Sequence, residues 1–291
     1  MKIGYPCIHR TIGCTANSTF RLNSYSEERL IQAVQNNLDC LQKILEWNVK
    51  HNLLFFRISS QLVPFASHPI CRFKWQTYFD ESFKKNGTFI KNNNIRISMH
   101  PDQFILLNAK DEKIVKRSVA ELEYHCTVLD LMQLDKTAKV QIHIGGVYGD
   151  KKTSIERFIH EYKKLPQYVK SRLVIENDDH RYSLADCLHI HKQIEVPIVF
   201  DTLHHECFNN GENFLEAIAS ASKTWKKIDG LLMVDYSSQE KGKRKGAHAQ
   251  KIDIKHFKSF ISQTKDFDFD IMLEIKDKEA SALKAKNFLD K

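Results

Sequence analysis

The chain has 291 residues and no glycine-, serine- or proline-rich stretch that would divide it, so it reads as a single domain spanning 1–291. No run approaches the ~18 continuous apolar residues of a membrane helix, which excludes a helical membrane protein. The start, Met1-Lys2-Ile3-Gly4-Tyr5-Pro6, has none of the three regions of a signal peptide, so the expected compartment is the cytoplasm. Cysteine is present but unorganised. The seven residues at 7, 14, 40, 71, 126, 187 and 207 are odd in number and include no Cys-x-x-Cys pair. That argues against a thiolate zinc site and a disulfide framework, and leaves reduced structural thiols as the expectation. A Gly-x-Gly-x-x-Gly turn is missing after the first apolar run, which counts against a dinucleotide-binding open sheet. Nor is there a His-x-His in that run, where Tyr5-Pro6-Cys7 stands instead of the pattern an amidohydrolase would carry.

What remains is ordinary for a globular protein: 42% hydrophobic and 27% charged residues, with a net charge of +8. The positive balance is a mild pointer to a polyanionic partner. It is concentrated in Lys241-Gly242-Lys243-Arg244-Lys245-Gly246, a flexible basic loop.

Short apolar runs alternate with amphipathic stretches. Candidate strands lie at 2–8, 55–60, 96–100, 139–144, 173–177, 197–201, 230–236 and 269–275. Between and after them, helical spacing is found at 27–50, 72–85, 112–134, 153–164, 183–194, 212–222, 253–263 and 278–289. Ser26, Thr153 or Ser154, Ser183 with Asp186, and Asp253 are placed to cap four of these helices. Eight strands alternating with eight helices is the pattern of a (β/α)₈ barrel, whose active sites are built at the C-terminal strand ends.

Those ends are where the unusual residues fall. His100 follows Arg96-Ile97-Ser98-Met99, His143 follows Val140-Gln141-Ile142, and Glu176 follows Leu173-Val174-Ile175. Asp201, with His204 three residues on, follows Ile198-Val199-Phe200. Asp235 follows Leu231-Leu232-Met233-Val234, His248 stands in the next loop, and Glu274 follows Ile271-Met272-Leu273. A single strand-end His or Asp is usually a cap or hydrogen-bond anchor. Eight on six successive strands imply converging ligands around cations, since buried charge needs partners. Two imidazoles and a carboxylate suit Zn²⁺, Mn²⁺ or Fe²⁺. Glu176 could bridge two ions, with His204, His248 and Asp201 holding a third, an arrangement suited to phosphodiester hydrolysis. A metal-dependent sugar isomerase is the alternative, although it has no use for a basic loop beside the site.

Several motifs, in one order along nearly the whole chain, resemble the UV damage endonuclease family. They are Gly4-Tyr5-Pro6-Cys7, Phe56-Arg57-Ile58-Ser59, Pro64-Phe65-Ala66-Ser67-His68-Pro69 and Ser98-Met99-His100-Pro101-x-Gln103. His143-x-Gly145-Gly146-x-Tyr148-Gly149, Glu176-Asn177-Asp178, Asp201-Thr202-Leu203-His204-His205, Ser238-Gln239 and Gly246-Ala247-His248-Ala249 complete the set. The resemblance implies a TIM barrel akin to endonuclease IV, two or three divalent ions (Mn²⁺ first, Zn²⁺ or Mg²⁺ as alternatives), and damaged double-stranded DNA as substrate. It implies a single-strand nick immediately 5′ to a cyclobutane dimer or 6-4 photoproduct, leaving a 3′-hydroxyl and a 5′-phosphate. No obligate protein partner is implied. An abasic-site endonuclease of the endonuclease IV type would share the phosphate chemistry.

Carried over by position, His100, His143, Glu176, Asp201, His204, His248 and Glu274 match the family's metal ligands. Asp235, where some relatives have His, completes the candidate ligand set. Glu176 and His143 are also the candidate catalytic residues, with His68 as a further site histidine. Tyr5 and His9 are expected at the lesion, and Gln103 with Phe104 in the gap left opposite it. Lys243, Arg244 and Lys245 are expected on phosphates. The chain departs from the pattern at Phe104 for an expected Tyr, at His9 for Asn, and at Met233, where some relatives carry a Lys open to modification.

Overall fold

The alternation in the apolar runs becomes eight parallel strands in the computed structural model, which describes residues 1–102 and 104–290. They are β1 (Ile3–Pro6), β2 (Phe55–Ile58), β3 (Arg96–Met99), β4 (Lys139–His143), β5 (Leu173–Glu176), β6 (Ile198–Asp201), β7 (Leu232–Tyr236) and β8 (Phe269–Leu273). Each pairs with the next, and β8 returns to β1, so the sheet closes into a (β/α)₈ barrel. The register sets Glu176 beside His143 as partners across β4 and β5, and Asp201 beside Asp235 across β6 and β7.

Residues alternate between two environments along every strand. One set, including Phe56, Ile97, Ile142, Ile175, Phe200, Val234 and Ile271, packs outward into the main core under the helices. The other set faces the barrel axis in layers. At the N-terminal end lie two buried ion pairs, Arg96–Asp270 at 2.8 Å and Lys139–Asp229 at 2.5 Å. Above them Phe55, Val174, Val199, Met233 and Met272 form a dry plug. Above the plug the lining turns polar again, with Arg57, Gln141 and Asp235 all buried.

The helices follow their caps more than their apolar limits. Ser26 accepts from Arg29 N to start Glu27–Lys50, Ser183 and Asp186 form a capping box, and Asp253 accepts from the backbone N–H groups of Lys255 and His256. The expected cap at Thr153 or Ser154 is displaced: Asp150 accepts from Thr153 N, and the helix runs Lys151–Lys164. The helix expected at 72–85 is two, Trp75–Tyr78 and Asp80–Asn92, divided at Phe79. The short helix Thr202–Cys207 accounts for the i+3 spacing of Asp201 and His204, whereas Gln167–Lys170 has no such signal in the sequence. Among the described residues no helix is long and apolar enough to cross a membrane.

The expectation of uniformly reduced thiols needs correction. Cys14 and Cys40 form a disulfide that ties the loop after β1 to the helix Glu27–Lys50. Sequence spacing rules do not reach such a loop-to-helix contact, 26 residues apart. Cys7, Cys71, Cys126, Cys187 and Cys207 are free. In oxidised protein, replacing both Cys14 and Cys40 by Ser is expected to cost roughly 3 kcal/mol, the chain-entropy value for a loop of this size. Urea unfolding with and without reductant measures it; a variant as stable as the oxidised parent would show that the bond adds nothing.

Candidate metal centre at the barrel mouth

Strand parity and strand length together deliver the site. His143, Glu176 and Asp201 are the last residues of β4, β5 and β6, while His100 and Glu274 follow β3 and β8 directly. Ligand atoms of His100, His143 and Glu176 lie within 4.8 Å of one another, as do those of Glu176, Asp201 and His204 and those of Asp201, Asp235 and Glu274. Glu176 is common to the first two groups and Asp201 to the last two. His100 Nε2 is 3.4 Å and His143 Nε2 3.6 Å from Glu176 Oε2, and His204 Nδ1 is 3.1 Å from Glu176 Oε1. His248 stands against Glu274, with Nδ1 3.7 Å from Oε2. The spacing of Asp201 and His204 is a helix start: Asp201 Oδ1 accepts from His204 N at 2.7 Å and caps Thr202–Cys207. His205 turns away and is buried, with Nε2 2.8 Å from Glu212 O.

The residues fit divalent ions on three observations. First, backbone carbonyls of Pro101, Asn177 and Glu274 lie 2.9–3.0 Å from Nδ1 of His100, His204 and His248. A carbonyl only accepts, so each Nδ1 carries a proton and each Nε2 is the nitrogen left for an ion, the arrangement of metal-binding imidazoles. Second, Asp201 Oδ2 and His143 Nδ1 are buried with no hydrogen-bond partner among the described residues. Third, the mixture of imidazole and carboxylate is one that Mn²⁺, Fe²⁺ and Zn²⁺ accept.

Charge in the site is finely balanced. Burial opposes ionisation of Glu176, yet His143, His100 and His204 hold its carboxyl well below the usual range. Burial, aided by Glu176, Glu274 and Asp235 and opposed by His204, drives Asp201 far up. His204 is raised well above its ordinary value: burial opposes its charge, but Asp201 and Glu176 outweigh it. Burial pushes His143 down. Sequence reasoning missed the residues that settle the remainder. Arg57 Nη2 lies 2.8 Å from both oxygens of Asp235, and Nη1 donates to Glu274 Oε1. Gln141 Nε2 bridges Asp235 Oδ2 at 2.6 Å and Glu176 Oε2 at 2.5 Å. Asp235 thus enters the site as the partner of Arg57. Burial still raises it to about 7 against the pull of Arg57, whereas Arg57 and His248 overcome burial to bring Glu274 to about 2. The available signal was parity: Arg57 and Gln141 share the inward face with Phe55 and His143.

Two cavities open on this cluster. One of 780 Å³ is bounded by His100, Phe104, His143, Tyr148, Arg181 and Arg244, among others. The other, of 470 Å³, reaches Cys7, Arg57, His248, Glu274 and Lys278. The first is shaped by the loop after β4. Gly145 has φ +112°, and a Cβ there would sit 2.4 Å from Asn108 Oδ1; Asn108 and Tyr182 both donate to Gly146 O. A third cavity, of 570 Å³, lies at the opposite end beside Lys2, Arg96 and Asp270.

Other expected site residues fall differently. Phe104 is 71% exposed at the edge of the larger cavity, and Gln103 lies outside the described residues. Lys243, Arg244 and Lys245 are exposed, with Arg244 on the cavity wall. His68 is not brought into the cluster; it sits in the loop after β2, its Nδ1 accepting from Ile70 N. Tyr5 and His9 do not reach the mouth. Tyr5 has the outward parity of β1, is fully buried, and donates to Asn48 Oδ1 at 2.7 Å. His9 is buried against Trp47, 3.4 Å from Glu279. Neither lines the two cavities that open on the cluster.

Arg57 leads to a prediction. In metal-free protein Arg57→Met should destabilise by roughly 3–5 kcal/mol, the cost of leaving a buried charge unpaired. Added Mn²⁺ should recover much of that loss by taking over Asp235 and Glu274. Denaturant unfolding in chelator and in Mn²⁺ gives the comparison, and equal losses in both would mean that ion and guanidinium do not share these carboxylates.

Comparison with known proteins agrees along the whole chain. The family model UV-endonuclease UvdE matches residues 2–290. A UV DNA damage endonuclease of Clostridium perfringens is 44% identical over 291 residues, covering 99% of this chain and 71% of its own. One from Bacillus thuringiensis subsp. konkukian is 35% identical over 293 residues, covering 97% of this chain and 92% of its own. The crystal structure of SacUVDE superposes with a TM-score of 0.96 and 45% identity, covering 100% of this chain and 98% of that one. L-ribulose 3-epimerase, at 14% identity and a TM-score of 0.59, shares the fold alone. The chain belongs to the UV-endonuclease UvdE family.

Proposed function

We propose that this protein is a metal-dependent endonuclease that nicks duplex DNA immediately 5′ to UV photolesions and leaves a 3′-hydroxyl and a 5′-phosphate. The observation that carries the reading is the shared-carboxylate cluster of His100, His143, Glu176, Asp201 and His204 at the floor of an open cleft. The printed name of the relatives, UV DNA damage endonuclease, supports the same substrate. His100, His143, Glu176, Asp201, His204, His248 and Glu274 would hold two or three divalent ions, with Mn²⁺ the first choice. When bound, such ions supply Lewis acidity toward a phosphate and activate water.

The chain's own residues do the rest. Glu176 and Asp201 gather the ligands into one array because each belongs to two groups. The backbone carbonyls behind His100, His204 and His248 fix the imidazole tautomers before substrate arrives. Arg57 and Gln141 hold Asp235 and keep the negative potential from repelling a phosphodiester. Phe104, on the cleft edge with Gln103 next to it, fills the space left by an extruded lesion, which stacks poorly and is cheap to displace. The basic loop, whose Gly246 N donates to Gln239 Oε1 at 2.8 Å, follows the DNA backbone.

End-labelled duplexes with one pyrimidine dimer, one abasic site or no damage test the activity. With Mn²⁺ the protein should cut just 5′ to the dimer, and His143→Ala or chelator should abolish the cut. Cutting confined to the abasic duplex would move the protein to the endonuclease IV type of activity. The surface assignments separate in the same assay. A Gln103→Ala, Phe104→Ala double variant should lose preference for damage, whereas neutralising Lys243, Arg244 and Lys245 should weaken binding to all duplexes and flatten its salt dependence. Unchanged selectivity in the first, or an unchanged salt slope in the second, would remove that assignment.

A further inference from the structure

The loop after β8 holds a lysine in a backbone conformation made for glycine. Lys278 has φ 54° and ψ −115°, the geometry of the first central position of a type II′ turn. A residue with a Cβ occupies it at a cost, and such costs gather at functional sites. The surrounding chain leaves little freedom to relax. Lys276 N donates to Ala249 O and Asp277 N to Gln250 O, Arg10 Nε donates to Lys276 O, and the buried carboxylate of Glu279 accepts from Arg10 N. Lys278 is therefore clamped from both sides.

The clamp holds it on the wall of the 470 Å³ cavity that also contains Arg57, His100, His143, His248 and Glu274. Among the described residues its ammonium has no hydrogen-bond or ion-pair partner within contact distance. Burial lowers its pKa, Arg57 and Arg10 add to that, and Glu274 opposes it. The guanidinium on the same wall is already committed to Asp235 and Glu274. Lys278 is thus an uncommitted cation on the wall of the cavity that opens on the cluster.

We propose that Lys278 binds a non-bridging oxygen of the scissile phosphate, positioning it over the ligand cluster; this rests on the phosphodiester substrate proposed above. A small anion beside His248 and Glu274 would give the ammonium its missing partner, and a phosphate is the anion that DNA supplies.

Lys278→Met, Lys278→Arg and Lys278→Gly test it, using a fluorescent dimer-containing duplex whose binding to chelator-treated protein is followed by anisotropy at increasing salt. Lys278→Met should flatten the slope of log K against log salt by about 0.9, one phosphate contact, while Lys278→Arg keeps the parent slope. Replacing the scissile phosphate by a neutral methylphosphonate should weaken the parent and leave Lys278→Met unaffected. In Mn²⁺, single-turnover cleavage by Lys278→Met should fall roughly 10²-fold, as when one transition-state charge partner is removed. Lys278→Gly relieves the turn, so it should melt higher than the parent and still show the binding loss, which separates the lysine's role from folding. A parent slope in Lys278→Met, additive losses from variant and methylphosphonate, or full binding by Lys278→Gly would each overturn the assignment. A parent protein that fails to cut the dimer duplex would instead sink the nuclease reading itself.

Discussion

Charge balance in the upper barrel is the constraint that the rest of this structure depends on. Glu176, Asp201 and Asp235 are buried together, Glu274 joins them at the cavity wall, and Arg57 is the strong cation built in among them. One guanidinium cannot neutralise four carboxylates. The deficit divides them: Glu176 and Glu274 are held low by their cationic neighbours, while burial and the other carboxylates force Asp201 and Asp235 up. Divalent ions bound there would resolve that conflict, because their charge is the largest local one wherever they bind. The imidazoles then matter for tautomer as much as for charge. Those of His100, His204 and His248 are set by backbone carbonyls, so the site's form is decided by the fold before any ion arrives.

The barrel was legible in the sequence because both of its patterns are strong: short, nearly continuous apolar runs for strands buried on both faces, and helical spacing between them. The strand-end residues were legible for a related reason. A run such as Leu173-Val174-Ile175 broken by Glu176 announces an ionisable group at a place where burial is about to begin. Arg57 and Gln141 were not legible in that way. They sit inside apolar runs rather than after them, and only the parity they share with His143 marks them as inward-facing. The same parity explains Tyr5. It belongs to the outward set of β1, so adjacency to a motif in sequence did not become adjacency to the mouth in space.

What sequence could not supply was mostly contact at a distance. The Cys14–Cys40 bond joins a loop to a helix, and no local pattern announces it. Asp150 outcompeted Thr153 as a helix cap, a choice between neighbouring acceptors that propensity does not settle. Lys278 lies in an unremarkable stretch of charged residues, and its interest comes from a dihedral angle.

The plug of Phe55, Val174, Val199, Met233 and Met272 has a consequence for how the molecule can change. It places hydrocarbon between two layers of buried charge, Arg96–Asp270 and Lys139–Asp229 below, and Arg57 with its carboxylates above. Hydrocarbon supports neither water nor proton transfer, so no proton or ion passes between the two layers, although their fields act across it with less screening than in water. A change of charge in the lower half is therefore felt in the upper one as a shift of potential, while each layer keeps its own protons as long as the plug stays sealed. Met233 is the seam of that plug: unbranched and polarizable, it can reshape to cover small rearrangements on either side.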